Sequence, residues 1–177
     1  MTVTLARVRR MAQGSARTPT KKTAPTWKAQ YLESVRLIER LHRQFLEITR
    51  LELDRVGIRD INNTQALLLY NIGHDELSVG ELTQRGHYLG SNVSYNLKKL
   101  VECKYVSQKP SLYDRRSLRV KATALGLKLQ DQLDKIFQRH AEELTDTILT
   151  GEDLTELELT LRRLEQFWAG QIGTGAG

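Results

Sequence analysis

Apolar residues recur at helical spacing along most of this chain and give way to alternation in one place. Over residues 27 to about 56, Tyr31, Val35, Ile38, Phe45 and Ile48 fall at helical intervals, while Leu37, Leu41, Leu46, Leu51 and Leu53 populate other faces. This predicts one long helix, ended by Gly57. A helix that is apolar on more than one side needs cover on more than one side. Asn63 is placed to cap a second helix, 64 to about 73, with Ala66, Leu67, Leu69, Tyr70 and Ile72 as its apolar set. A turn at His74-Asp75-Glu76 and a short polar stretch at Leu77-Ser78-Val79 lead to a compact helix over 80–85, anchored by Leu82. After a turn flanked by Gly86 and Gly90, a further helix from 91 to about 103 places Val93, Leu97, Leu100 and Val101 on one side.

The period then changes from helical to two. Residues 105–109 and 118–122 read as short strands, and in the second Leu118, Val120 and Ala122 alternate with Arg119 and Lys121, predicting one buried face. Thr123 opens another long helix bearing Leu125, Leu129, Leu133, Ile136, Phe137, His140, Leu144 and Ile148. In the last helix Leu154, Leu157, Leu161, Leu164 and Trp168 step by alternating threes and fours, the seam of a coiled-coil-like contact. The Gly-rich tail after Ala169 is expected to fray. The predicted fold is mainly α with a small β-hairpin wing, a winged helix-turn-helix between long N- and C-terminal dimerisation helices. The expected division is a disordered basic arm over 1–26, a helical dimerisation domain from 27–60 and 124–172, and a winged helix-turn-helix over 61–123.

Charge sharpens this picture. Between Arg85 and Lys121 nine basic residues face two acidic ones, whereas residues 122–177 carry five basic and ten acidic, and the first 26 carry six basic and no acidic residue. The positive charge thus collects where the helix-turn-helix and hairpin are expected, as a phosphate-binding surface requires. No apolar run reaches the roughly 18 residues of a membrane span. A single cysteine, Cys103, forbids an intramolecular disulfide and suits a reducing compartment, so a cytoplasmic, nucleoid-associated protein is expected. His42, His74, His87 and His140 lack metal-ligand spacing, and no nucleophile–base set or phosphate-binding glycine loop is present. No enzyme, cofactor or metal is expected.

The candidate chemistry is recognition of duplex DNA. Ser91, Asn92, Ser94, Tyr95, Asn96, Lys98 and Lys99 fall opposite the apolar stripe of their helix, and such amide, hydroxyl and ammonium groups bond base edges and phosphates in the major groove. At the hairpin tip, Arg115 or Arg116 is suited to a narrow minor groove, with Asp114 orienting the arginine. Two other classes compete. An architectural DNA-binding protein would show steep salt dependence without sequence preference. A winged helix used for protein interaction would keep its partner when Arg116 becomes Ala.

The run from Tyr105-Val106 through Asp114-Arg115-Arg116-Ser117-Leu118-Arg119-Val120 to Thr123 and Gly126 resembles the signature of the MarR family of winged-helix regulators, with Lys104 in place of a usual Gly and Ala122 in place of a usual Leu. Residues 85–100 are similar to the alphaproteobacterial LdtR/PetP-like branch. The resemblance implies a homodimer with interlocked terminal helices on a pseudopalindromic operator. It matches Asp114 and Arg116 to the family's wing pair, favouring Arg116 for the minor groove. It also implies a small aromatic or phenolic effector in a crevice near His42, Phe45, Thr49 and Tyr70.

Overall fold

The computed structural model describes residues 26–85, 90–111 and 118–174. The chain divides into two compact units, Met1–Gln44 and Phe45–Gly177. Within the first, Thr26 opens helix α1 (Trp27–Arg55), its carbonyl accepting from the Ala29 and Gln30 amides. Glu33 pairs with Arg36 and Arg40, and Glu39 with Arg43, all on exposed surface. Tyr31, Leu32, Leu37 and Leu41 are exposed, as a multi-sided apolar helix without cover must leave them.

In the second unit, α1 ends in a Schellman turn. Ile58 N–H donates to Leu53 O, Gly57 N–H to Asp54 O, and Gly57 takes φ 79°, which glycine reaches without a Cβ clash. Helix α2 (Asn63–Ile72) is capped one residue earlier than expected: Asn62 accepts from Gln65 N, and Gln65 Oε1 accepts from Asn62 N. Asn63 instead donates its amide to Leu46 O on α1. The stretch expected to be merely polar is a strand, β1 (Glu76–Ser78). Ser78 and Glu81 then form a reciprocal capping box that opens α3 (Val79–Arg85). Helix α4 (Gly90–Glu102) follows.

Strands β2 (Val106–Pro110) and β3 (Leu118–Ala122) pair antiparallel, and β1 adds to the far edge of β3. The wing is therefore two strands of a three-stranded sheet, with Leu77 opposite Val120 and Val106 opposite Ala122. Val120 and Ala122 are buried as the alternation predicts, but Leu118 is 42% exposed because it lies beyond the edge of the core. Thr123 caps α5 (Ala124–Thr147), accepting from Gly126 N at 3.1 Å. Thr150 and Asp153 form another capping box and open α6 (Gly151–Thr174). That helix continues past Ala169 to Thr174, although the Gly-rich composition there predicts fraying.

The core gathers Leu53 of α1, Ala66, Leu68, Leu69 and Ile72 of α2, Leu82 of α3, and Val93, Leu97 and Leu100 of α4. Tyr105, Val106, Val120, Leu129 and Leu133 complete it. Each fully buried aliphatic side chain stabilises the fold by about 1.5–3 kcal/mol relative to exposure. The α4 stripe is thus held firmly, and the orientation of its opposite face is fixed.

Candidate nucleic-acid interface

Helix α4 shows the division of labour that a groove-reading helix needs. Val93, Leu97 and Leu100 are at most 1% exposed, whereas Asn92, Ser94, Lys98 and Lys99 are exposed and Tyr95 is 71% exposed. Leaving a tyrosine so open gains nothing in packing, and its ring and hydroxyl are presented outward. Asn96 is half-buried, and its Nδ2 donates to Asn92 O at 2.8 Å, so part of its hydrogen-bonding capacity is spent on its own helix. Lys99 Nζ lies 3.9 Å from Glu102. The Ser91 side chain, and Asp114, Arg115 and Arg116, lie outside the described residues.

The far end of α4 is set by another Schellman turn, with Tyr105 N–H donating to Leu100 O and Lys104 N–H to Val101 O. Lys104 occupies the left-handed position at φ 64°. The glycine that the family resemblance leads one to expect there would adopt this φ without a Cβ clash, and a lysine carries the strain here. Tyr105, buried, donates its hydroxyl to Asp60 Oδ1 at 3.1 Å; burial, then that carboxylate, push its pKa up to about 12.

Behind the sheet runs an ion network that composition did not reveal. Arg119 lies 3.2 Å from Glu81, its Nη2 donates to Glu76 O, and Lys109 pairs with Glu76 at 2.9 Å. Arg85 pairs with Asp75 at 3.0 Å. The Lys109 and Arg119 cations hold the Glu76 carboxyl below the usual carboxylate range; Glu81 is lowered chiefly by the Ser78 backbone and side-chain hydrogen bonds, then by Arg119 and Arg85. These contacts brace β1, β2, β3 and α3 together.

The family model described as "MarR family" matches residues 59–117, from the α1–α2 connection to the residue before β3. The exopolysaccharide II synthesis transcriptional activator ExpG of Rhizobium meliloti (strain 1021) is 39% identical over 145 residues, covering 82% of this chain and 75% of that protein. The chain belongs to the MarR family. The fold agrees with MarR-family structures at lower identity. Streptococcus pneumoniae FabT in complex with DNA has 18% identity and TM-score 0.66, over 80% of this chain and 99% of that one. A mutant of Escherichia coli MarR complexed with operator DNA has 23% identity and TM-score 0.66, over 78% and 98%.

Of the four positions assigned to an effector, Phe45, Thr49 and Tyr70 lie in the second unit. Phe45 and Tyr70 are linked through Phe137, with ring centroids 5.7 and 5.2 Å from it, the second pair edge-on. Thr49 is 1% exposed and donates its hydroxyl to Phe45 O, so it faces packing. His42 belongs to the first unit. A cavity of about 660 Å³ between α1 and α5 is lined by Phe45, Ile48, Leu51, Phe137, Leu144 and Ile148, with Glu52, Arg55 and His140 among its polar groups. Sequence reading missed Glu52, a buried carboxylate at 2.8 Å from Arg139 and 2.5 Å from Arg55. His140 Nε2 lies 3.5 Å from it. Burial pushes the Glu52 carboxyl up, but Arg139, Arg55 and His140 outweigh it and the net shift is downward. Its signal was weak, because an acid on a helix with apolar residues on several faces looks like solvent-facing charge.

Proposed function

We propose that this MarR-family chain is a transcriptional regulator that binds duplex DNA sequence-specifically as a homodimer, with α4 in the major groove and the 112–117 segment at the minor groove. The observation that carries the reading is α4 itself, with one face locked in the core and a polar face of Asn92, Ser94, Tyr95 and Lys98 turned to solvent. Kinship with ExpG supports regulation of transcription and makes the promoters of exopolysaccharide-synthesis genes the first to test.

Apolar surface that one chain leaves open supports the homodimer. On α6, Leu157, Leu161 and Phe167 are 47%, 43% and 56% exposed, and the α1–α5 groove is apolar along most of its wall. A second copy offers both surfaces at once and closes the assembly by two-fold symmetry. Two α4 helices about 34–36 Å apart then meet successive major grooves. A small aromatic effector bound near Phe45, Tyr70 and Phe137 would act by favouring one spacing of those helices over another.

The test is footprinting on DNA from the protein's own promoter and from polysaccharide promoters, with scrambled competitor. Asn92→Ala and Tyr95→Ala are expected to change preference among bases, and Arg116→Ala to weaken binding at A·T-flanked sites. Equal, sequence-blind losses from all three would overturn the reading.

A further inference from the structure

A second cavity, of about 400 Å³, opens between the end of α2 and one face of α5, on the side of Tyr70 that carries its hydroxyl, lined by Tyr70, Gly73, His74, Gln130, Asp131 and Asp134. Its chemistry is one-sided. It offers two carboxylates one helical turn apart and, among the lining residues, no lysine or arginine. Asp134 uses Oδ1 to accept from the Tyr70 hydroxyl at 2.9 Å, and Asp131 is exposed without an ion-pair partner among the described residues.

Gln130 adds an independent sign. It is 5% exposed, and its Nε2 donates to Leu69 O at 2.6 Å and Gly73 O at 3.1 Å, which fixes the orientation of the amide. Its Oε1 is buried and accepts no hydrogen bond from any described residue. A buried acceptor without a donor costs about 1–3 kcal/mol, so this wall favours an occupant rich in N–H. The same wall holds the C-terminal carbonyls of α2, where the helix dipole favours positive charge. Among the described residues no group of three or more His, Cys, Asp or Glu could hold a metal ion, and a bare ion has no hydrogen to give to an unpaired acceptor, whereas an organic ammonium has three.

We propose that this cavity binds a small organic cation carrying a primary ammonium, held between Asp131 and Asp134 and donating to the acceptors of the α2 terminus. An ammonium has three donors and no acceptor, matching a wall of carboxylate, amide and carbonyl oxygens. Resting on the regulatory reading above, such a ligand would brace α5 against the turn that feeds β1 and the DNA-facing helices.

Isothermal titration of the full chain with 1,4-diaminobutane, in the absence of DNA, tests the site separately from DNA recognition. The expected result is saturable binding, one per chain, that weakens with salt and is not reproduced by 1,4-butanediol. Asp131→Asn and Asp134→Asn should each weaken it about tenfold, the loss of one charge-assisted contact. Asp146→Asn, an exposed acid further along α5, should leave it unchanged. Urea midpoints establish that each variant folds. Three results would overturn the proposal: no diamine heat with wild type at millimolar concentration, equal binding of the diol, or equal affinity in wild type and the folded Asp131→Asn and Asp134→Asn proteins. An equal loss in Asp146→Asn would overturn it as well, since the effect would then be general charge attraction.

Discussion

Replacing Gly126 by Ala sets two effects of opposite sign against each other. In an open helix the change is favourable by about 1 kcal/mol, because alanine restricts the unfolded chain and suits the helix. Gly126 is not in the open. A Cβ built there would stand 2.1 Å from Tyr105 O, 3.1 Å from Tyr105 C and 3.3 Å from Leu69 Cδ1. Carbon–oxygen contact begins at about 3.3 Å, so something must move by roughly 1 Å. Tyr105 cannot yield easily. Its carbonyl accepts from Thr123 N–H at 3.0 Å, its ring is buried, and its hydroxyl is tied to Asp60. Overpacking of this kind costs about 1–3 kcal/mol, and loss of the Thr123–Tyr105 bond adds about 0.5–1.5 kcal/mol.

Net destabilisation of about 0.5–3.5 kcal/mol is therefore expected once the helix gain is subtracted. That corresponds to a fall in Tm of about 2–4 °C per kcal/mol for a chain of this size. Urea denaturation followed by circular dichroism, at one fixed protein concentration, measures it. Gly80→Ala is the control, since its Cβ would meet only Ser78 Oγ at 3.9 Å, and it should be neutral or slightly stabilising. A Gly126→Ala protein as stable as wild type, or more so, would refute the claim that close approach of α5 to Tyr105 requires glycine.

Lys104→Gly should raise the urea midpoint by the equivalent of about 1 kcal/mol, because glycine relieves the left-handed φ at the end of α4. Since the Glu52 pKa is lowered on folding, the stability it contributes is present above the ordinary glutamate value of about 4.3 and is lost as pH falls through the lower folded value. Glu52→Gln should accordingly lose stability at neutral pH and show a shallower decline as pH falls below the ordinary glutamate range, read as urea midpoints against pH. Lys98→Ala should reduce the slope of log affinity against log salt by about one, while Arg119→Ala leaves that slope nearly unchanged, since the Arg119 charge is engaged by Glu76 and Glu81.

What was legible in the sequence followed from period and from local capping chemistry. The ends of α1, α4 and β3 lay within about a residue of their predicted places because apolar spacing and turn residues agreed there. Strand β1 was not legible: three residues carry no measurable alternation, and only pairing with β3 makes them a strand. Asn62 and Asn63 are equally good caps by composition, and the choice is made by Gln65, which reaches back to Asn62, and by Leu46 O, which captures Asn63. The polar face of α4 could be read because its apolar stripe was clear. The groups that line cavities could not, since Glu52, Gln130 and Asp134 acquire their character from partners that are 64 to 87 residues away or, for Gln130, 61 residues away.

Charge shows most clearly how sequence distance misleads. Counted along the chain, residues 85–121 hold a large basic excess. In space, Arg85, Lys109 and Arg119 are met by Asp75, Glu76 and Glu81, acids from just outside that window which β1 and α3 carry up against the sheet. Their charges tie the wing to the helix pair and are poorly placed to release counterions from DNA. Among the described residues, Lys98, Lys104 and Lys121 make no ion pair, so the field that draws phosphate comes from fewer cations than the count suggests. If α4 enters the groove as proposed, affinity should depend on salt less steeply than nine phosphate contacts would give.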